Sequence, residues 1–172
     1  MPKIIENVRR QLIDVARRQL SDRGYSGMTV RSVAGDCGLA TGTVYNYFSS
    51  KDVLVATVMS EDWLAALAAI DREKTDSDEI LYSLHTAIID FCRKYSLVFS
   101  DSEAANTFIT TFGKRHGIML GQIADIILPF CEGKADERKF SALFAAEALI
   151  SWSSRGESFG KIVIQINKII KN

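Results

Sequence analysis

Apolar residues recur at intervals of three and four along most of this chain, the spacing that predicts amphipathic helices. The first stripe comprises Ile5, Val8, Leu12, Val15, Ala16 and Leu20. Gly24 is expected to end this helix. Thr29 suits the N-cap of a short second helix that Gly38 would end, and Thr41 suits the N-cap of a third helix that reaches about Tyr47. The first fifty residues therefore predict three helices, two of them short.

Longer helices are predicted beyond residue 50. Their apolar stripes cover about residues 50–72, 77–97, 102–114, 118–132 and 136–153. The final segment is ambiguous, because residues 162–166 alternate as in a strand whereas Ile162, Ile166 and Ile169 also follow a helical stripe. No second strand candidate lies nearby to pair with it, so a helix is predicted. With only two prolines, the whole chain is predicted to be all-α.

The composition is that of a globular protein. The 172 residues are 47% hydrophobic and 24% charged, which argues against wholesale disorder. Cys37, Cys92 and Cys131 are odd in number and widely spaced, which argues against a disulfide framework or a thiolate zinc site and favours a reducing cytoplasm. The chain has neither an apolar signal core nor an apolar run of about 18 residues, so secretion and membrane spanning are not expected.

The net charge of zero conceals an asymmetry along the chain. Residues 1–51 contain eight Lys and Arg against four Asp and Glu, and the remainder contains thirteen against seventeen. A basic head on an acidic body suggests that only the head faces a polyanion. An excess of this size also arises by chance, so the asymmetry decides little by itself.

Residues 29–51 have the spacing of a helix-turn-helix. Two helices that cross closely need a small residue where their backbones meet, and Ala34 supplies it. The turn needs a residue that tolerates positive φ, which is Gly38. The second helix needs an apolar anchor against the first, which is Val44. A small residue, a glycine four positions later and an apolar residue six positions after that predict a helix-turn-helix.

The predicted second helix of this motif has a polar outer face. With Val44 pointing inward, Phe48 also points inward. The outward residues would be Gly42, Thr43 and Asn46, flanked by Tyr45 and Tyr47. Thr43 and Asn46 offer groups for base edges in a major groove, and the two tyrosine hydroxyls would reach phosphates. Packing roles for both tyrosines are the alternative.

Three further residues are candidates for backbone contacts with DNA. Thr29 and Lys51 each stand at a helix N-terminus, where amides, dipole and charge favour phosphate. Arg31 would project from the supporting helix toward the DNA backbone or an outer base. A solvated helix-start lysine is the alternative for Lys51.

Residues 1–51 resemble the N-terminal DNA-binding domain of TetR-family transcriptional regulators. The matching residues are Gly24-Tyr25, Met28-Thr29-Val30, Val33-Ala34, Gly38-Leu39, Gly42-Thr43-Val44-Tyr45, Tyr47-Phe48, Ser50-Lys51 and Leu54. The resemblance places Thr43, Tyr45, Asn46, Tyr47 and Lys51 on DNA, with Thr41 and Gly42 at the start of the recognition helix. It implies a three-helix DNA-binding domain over residues 1–50 and an all-helical effector-binding and dimerisation domain over residues 51–172.

A homodimer is expected because one such module makes few base contacts, whereas a twofold dimer presents two recognition helices to successive major grooves. The last two helices combine small alanines with large apolar residues, as a helix–helix seam requires. The interface candidates are Phe140, Phe144, Ala145, Ala148, Trp152, Ile162 and Ile166. Intrachain core is the alternative for about half of the apolar residues in this region.

An effector pocket is expected among the middle helices. Its candidates are Trp63, Tyr82, His85, Cys92, Phe108, Phe112, His116 and Met119. Ordinary core packing is the alternative for each of them. The two histidines do not have metal-ligand spacing on one helix, so neither a metal nor another cofactor is expected.

These patterns, together with what the resemblance implies, predict a cytoplasmic, homodimeric repressor that a small-molecule effector releases from a near-palindromic DNA operator. No phosphate-binding glycine loop, Ser-His-Asp order or nucleophile elbow is present, so enzymatic activity is not expected. Two alternatives stay open at this point. One is an architectural or protein-regulated DNA-binding protein without a small-molecule effector, and the other is a small helical enzyme that uses His85 or His116 with a nearby acid.

Overall fold

The computed structural model describes residues 6–102, 104 and 113–171, and within them every regular element is helical. The helices are α1 (Glu6–Gly27), α2 (Val30–Asp36), α3 (Thr41–Tyr45), α4 (Lys51–Ala68), α5 (Ser77–Lys94), α6 (Ser96–Phe99), α7 (Gly113–Ile127), α8 (Ala135–Ser154) and α9 (Phe159–Ile170). A 3₁₀ turn at Leu128–Phe130 follows α7. The all-α prediction is confirmed, and the ambiguous final segment is the helix α9. The helix predicted over residues 102–114 lies almost entirely outside the described residues.

Several helix ends differ from the prediction by a few residues. The first helix bends at Gly24, where φ is +69°, and then continues for one more turn to Gly27. Thr29 caps α2 as predicted, since its hydroxyl oxygen accepts a hydrogen bond from the Ser32 amide at 2.9 Å. The cap of α3 is Ala40 instead of Thr41, which is the first helical residue. At the start of α4, the Ser50 hydroxyl oxygen accepts a hydrogen bond from the Val53 amide at 3.2 Å.

The described residues form two compact units. The first contains residues 6–65, 93–102 and 104, and the second contains residues 66–92 and 113–171. The first unit therefore includes most of α4, which lies beyond the functional boundary predicted at residue 50. Its core is formed by apolar side chains of α1 to α4 and α6 and of the short segments that join them. They include Leu12, Ala16, Leu20, Met28, Val33, Val44, Phe48, Leu54, Val58 and Val98.

A charged cluster lies inside the first unit. The Asp62 carboxylate of α4 accepts Arg17 Nε of α1 at 2.7 Å, and Lys94 Nζ and the Tyr95 hydroxyl each at 2.5 Å. Burial opposes the ionisation of Asp62, but these donors outweigh it and hold the pKa of Asp62 below its usual value. Arg17 also pairs with Glu61 at 3.3 Å, so α1 is tied to α4 through charge as well as apolar contact.

The second unit is built around one face of each of its helices. The buried residues of that core include Ile80, Leu84, Ile88, Ile123, Ile127, Ala142, Ala145, Leu149, Ile162, Ile166 and Ile170. Helix α9 is joined to its surroundings by the Asn167 amide, which donates to Asp78 at 2.7 Å, and by the Ile170 carbonyl, which accepts the Glu132 amide at 2.7 Å. The isoleucine stripe at helical spacing thus supplies the buried side of α9.

Candidate nucleic-acid interface

The turn between α2 and α3 has the geometry that the sequence predicts. Ala34 is buried at the crossing, and its carbonyl accepts the Leu39 amide at 2.9 Å, which closes the turn. Gly38 adopts φ +67° in that turn, a conformation that side-chain-bearing residues rarely adopt. A Cβ at Gly38 would have no heavy atom within 4 Å, so the backbone angle and not crowding is the reason for glycine here.

Helix α3 is held from behind by apolar side chains. Val44 is fully buried and Phe48 is 3% exposed. The helix spans Thr41–Tyr45 and so ends earlier than predicted, but Asn46 continues the right-handed helical backbone with φ −70° and ψ −21°. The anchors therefore fix the rotation of α3 about its axis, which determines the residues that point outward.

The outward face of α3 consists of small and polar residues. Gly42, Tyr45 and Asn46 are exposed, and Thr43 and Tyr47 are half-buried. Thr41 at the first helical position is also half-buried. This single turn and a half presents hydroxyl, amide and aromatic groups to solvent with no large aliphatic side chain among them.

The flanking candidates lie around the same motif. Thr29 is exposed and engaged in the cap of α2, and Arg31 is exposed on the first turn of that helix. Lys51 is half-buried at the first residue of α4, where its Nζ lies 3.8 Å from the centroid of the Tyr25 ring. Tyr25 was not among the predicted functional residues, although its place in the Gly24-Tyr25 pair of the resemblance is a signal that points to it.

Much of the predicted basic charge of the head is paired within the chain. Arg9 lies 3.4 Å from Glu61, Arg17 is held by Asp62, and Arg18 lies 3.3 Å from Asp36. Arg31 and Lys51, like Arg10 and Arg23, have no carboxylate at ion-pair distance within the described part of the chain. Arg31 and Lys51 are the two of these cations that lie on α2 and at the start of α4, on either side of α3 in the sequence.

The predicted effector-pocket residues lie in different environments. Trp63 and His85 are buried, Cys92 and Met119 are half-buried, and Tyr82 is exposed. His116 is exposed and lies 2.8 Å from Glu147, while Phe108 and Phe112 lie outside the described residues. An open depression of about 410 Å³ in the second unit is lined by none of the predicted residues. Its lining is Thr75, Asp76, Ser77, Phe130, Glu132 and Lys171.

His85 is a buried polar residue with a hydrogen-bond partner. Its Nδ1 lies 2.8 Å from the Ser153 hydroxyl, and its ring centroid lies 5.4 Å from that of Phe159. Burial lowers the pKa of His85, so the imidazole is neutral in the folded protein near pH 7. No group of three or more His, Cys, Asp or Glu side chains is placed to hold a metal ion in the part of the chain that the structure describes.

The predicted dimer residues divide into two sets. Ala145, Ile162 and Ile166 are buried within the chain itself, where they form part of the second unit's core. Phe140, Phe144 and Trp152 are 70%, 54% and 48% exposed on α8, and Ala148 is half-buried between them. The exposed set forms an aromatic face of α8, with the Phe140 and Phe144 rings 6.3 Å apart.

In the described ranges no helix has the length and apolarity of a membrane span.

Residues 12–58 match the family described as bacterial regulatory proteins, tetR family. Over 81 residues, 46% of this chain and 42% of the relative, the sequence is 43% identical to the HTH-type transcriptional regulator BetI of Burkholderia thailandensis. Over 77 residues, 42% of this chain and 41% of the relative, it is 35% identical to the HTH-type transcriptional repressor Rv1474c of Mycobacterium tuberculosis. The match thus spans less than half the length of these curated relatives.

The likeness of fold extends further along the chain than the likeness of sequence. A solved structure of a transcriptional regulator from Rhodococcus sp. Rha1 superposes with a TM-score of 0.64 at 18% identity, covering 95% of this chain and 96% of that one. The segment matched by the family, residues 12–58, contains the α2–α3 pair. Residues 12–58, which contain the helix-turn-helix, thus match the DNA-binding segment of the tetR family of bacterial regulatory proteins.

Proposed function

We propose that this protein is a sequence-specific transcriptional repressor that binds double-stranded DNA as a homodimer and is released by a small-molecule effector. One observation carries the proposal. The buried side chains of Val44 and Phe48 anchor α3 to the rest of the first unit. The opposite side of α3, with Gly42, Thr43 and Asn46, is therefore the polar side that faces water. A short polar helix presented in this way fits the width of a DNA major groove.

The exposed groups suit the two kinds of contact that DNA requires. Thr43 and Asn46 would meet base edges, and Gly42 would let the groove wall approach the helix backbone. Tyr45 and Tyr47 would reach phosphates on either side, with Lys51, Arg31 and the capped N-terminus of α2 at Thr29 adding backbone contacts. Phosphate contacts of this kind orient a helix in the groove, and base contacts then select the sequence.

Dimer formation follows from the size of this interface. A single helix-turn-helix reads only a few base pairs, so an affinity useful in a genome requires two copies on a near-palindromic site. The aromatic face of α8 is a suitable seam, because Phe140, Phe144 and Trp152 expose apolar area that a second copy would bury. Pairing of α8 with the α8 of a second copy would bury the exposed aromatic residues of both chains in the same interface.

Control by an effector is the regulatory part of the proposal. A small molecule releases DNA only when it binds the DNA-free conformation more tightly than the DNA-bound one. The relative named a transcriptional repressor supports the direction of control. Of the described candidates for the pocket, Trp63 lies in the first unit, and Tyr82, His85, Cys92, His116 and Met119 lie in the second.

The test begins with selection of bound duplexes from a random library by the full chain, followed by fluorescence anisotropy on the selected sequence. We expect specific binding whose affinity falls steeply with salt, as phosphate contacts require. Asn46→Ala should weaken binding, whereas Ser154→Ala, an exposed change on α8, is the matched control and should not. Failure of the wild-type chain to bind any duplex in a salt-dependent manner would contradict the proposal. Compounds that lower the anisotropy of the preformed complex would then identify the effector class.

A further inference from the structure

We infer that Tyr25 is a positioning residue for DNA binding, whose ring holds the Lys51 ammonium at the start of α4 where a DNA phosphate would receive it. The inference rests on the proposed function and adds to it a residue that would not touch DNA itself. Three observations carry it: the location of Lys51, the packing of Tyr25, and the contrast with a second cation in the same unit.

Lys51 stands at a position that a helix disfavours for a cation. It is the first residue of the 18-residue helix α4, where unpaired amides give a partial positive charge. Its side chain is also long and flexible, so any fixed position costs conformational entropy. Something other than the helix must therefore hold the ammonium in place.

The Tyr25 ring supplies that contact. Nζ of Lys51 lies 3.8 Å from the ring centroid, well within the range of a cation–π interaction. The ring is itself fixed, because Tyr25 is 5% exposed and its hydroxyl donates a hydrogen bond to the Asp52 carboxylate. Tyr25 thus contacts the first two residues of α4, one through its face and the other through its hydroxyl.

The bend in α1 explains how Tyr25 reaches this position. Gly24 has φ +69° and ψ −170°, which redirects the chain immediately before Tyr25. A Cβ at Gly24 would come within 3.0 Å of the Leu97 carbonyl oxygen, so a side chain there would be crowded as well as strained. The glycine bend therefore sets the direction of the last turn of α1, and with it the direction of the Tyr25 ring.

Arg9 provides a natural contrast within the same unit. Its guanidinium also lies over an aromatic ring, 5.6 Å from the centroid of Phe48, but it pairs with Glu61 at 3.4 Å. A carboxylate that holds a cation also neutralises the positive charge of that cation. An aromatic ring holds a cation without neutralising it, because the ring carries no net charge. Lys51, which has no ion pair with a described carboxylate, keeps its full charge for a phosphate.

A double-mutant cycle tests the inference on the duplex that the wild-type chain selects. Lys51→Ala should weaken binding about tenfold and lower the salt slope by about one, the signature of one lost phosphate contact. Tyr25→Leu should weaken binding about threefold, and Tyr25→Phe, which keeps the ring, should stay within about twofold of wild type. In the Lys51→Ala background, Tyr25→Leu should cause no further loss of affinity. Arg9→Ala is the matched control and should leave the salt slope unchanged.

A second measurement keeps the inference decidable if Tyr25→Leu fails to fold. In the free wild-type protein, the ring should shift the NMR resonances of the Lys51 ε-methylene protons upfield, and Tyr25→Phe should retain the shift. Absence of that shift, additive losses in the cycle, or an unchanged affinity in Lys51→Ala would each overturn the inference while wild-type DNA binding persists. Absence of wild-type DNA binding would instead overturn the proposed function, and the inference with it.

Discussion

The two compact units expose different chemistry on their surfaces. In the first unit, α3 presents Gly42, Tyr45 and Asn46, which water hydrates readily and which a polar groove can bind. In the second unit, α8 presents Phe140 and Phe144, which remain exposed in the single chain. The first surface is stable without a partner, whereas the second gains free energy when another apolar surface covers it. The two units therefore differ in the kind of surface that each leaves uncovered.

The interiors of the two units differ in a parallel way. The first holds an ionised carboxylate, Asp62, satisfied by Arg17, Lys94 and Tyr95 from other helices. The second holds a neutral pair, His85 with Ser153. A half-buried charge with several donors ties helices together, because removal of one donor leaves the charge undersatisfied. A neutral hydrogen-bonded pair ties helices together less strongly, and protonation of its histidine weakens it at a higher pH than protonation of a carboxylate would.

The largest effect should come from the aromatic face of α8. Replacement of both Phe140 and Phe144 by Glu should raise the dissociation constant of the dimer about a hundredfold or more, since two exposed aromatic anchors are lost and two like charges meet across the twofold axis. Sedimentation velocity measures the change. Lys139→Glu, on the flank of the same helix, is the control and should leave the dimer intact. A double variant that stays dimeric would show that another surface forms the interface.

Base selection by α3 should change when Thr43 is altered. Thr43→Val keeps the shape and removes the hydroxyl, so preference should shift by about 1–3 kcal/mol at one or two base positions, with the rest of the site unchanged. Binding to a randomised site library, read by sequencing, measures the shift. Thr57→Val is the control, because the Thr57 hydroxyl donates to the Val53 carbonyl of its own helix. A uniform loss over all sequences would assign Thr43 a structural role.

Substitution of Gly42 should affect the stability of the fold and the affinity for DNA in opposite directions. A Cβ at Gly42 would meet no atom within 4 Å, so Gly42→Ala should raise the free energy of unfolding, by up to about 1 kcal/mol. Binding should nevertheless weaken about tenfold, because the methyl group would obstruct the groove wall. Gly35→Ala in α2 also has open space and is the matched control, expected to stabilise the fold without weakening binding. Equal DNA affinity for both variants would argue against close approach at α3.

The smallest effect should be a difference in acid sensitivity between the units. Burial lowers the pKa of His85 below its usual value of 6.5, so the folded state binds fewer protons and stability falls as the pH drops below 6.5. Although burial acts in the opposite direction, the hydrogen bonds to Asp62 hold its pKa below its usual value of 3.8, so its contribution persists until the pH falls below 3.8. Between pH 7 and pH 5, amide protection factors, which correct for the slower intrinsic exchange at lower pH, should therefore fall more in the second unit.

His85→Gln is the control for that measurement. It removes the titrating group and keeps a polar side chain that can bond to Ser153, so the extra loss of protection in the second unit at pH 5 should disappear. Protection factors that fall equally in both units, or that fall in His85→Gln as they do in the wild type, would contradict the assignment of acid sensitivity to this residue.

The local features of the helix-turn-helix could be predicted from the sequence because they depend on neighbours in the chain. Ala34, Gly38 and Val44 have their roles set by helix period and backbone conformation, and the structure places each as expected. The prediction that Thr29 caps α2 is confirmed for the same reason. The DNA contacts of α3 stay a prediction, because they require a second molecule.

The C-terminal half shows the limit of the same reasoning. Phe140 and Ala145 both follow the apolar pattern of one helix, yet Phe140 is mostly exposed and Ala145 is fully buried. Helical period alone indicates which residues share a face, but it does not indicate which face a neighbouring helix covers. The predicted interface therefore mixed core residues with surface residues.

The sequence by itself determined the helical class, the helix-turn-helix and the inward and outward sides of α3, since periodicity and turn chemistry act over a few residues. Only the tertiary structure decided which apolar faces are covered and which cations are paired. Arg17 meets Asp62 across 45 positions of sequence, and Lys51 meets Tyr25 across 26, distances over which no local pattern constrains a contact. Such pairs form when helices pack, because packing brings together side chains that the chain order separates.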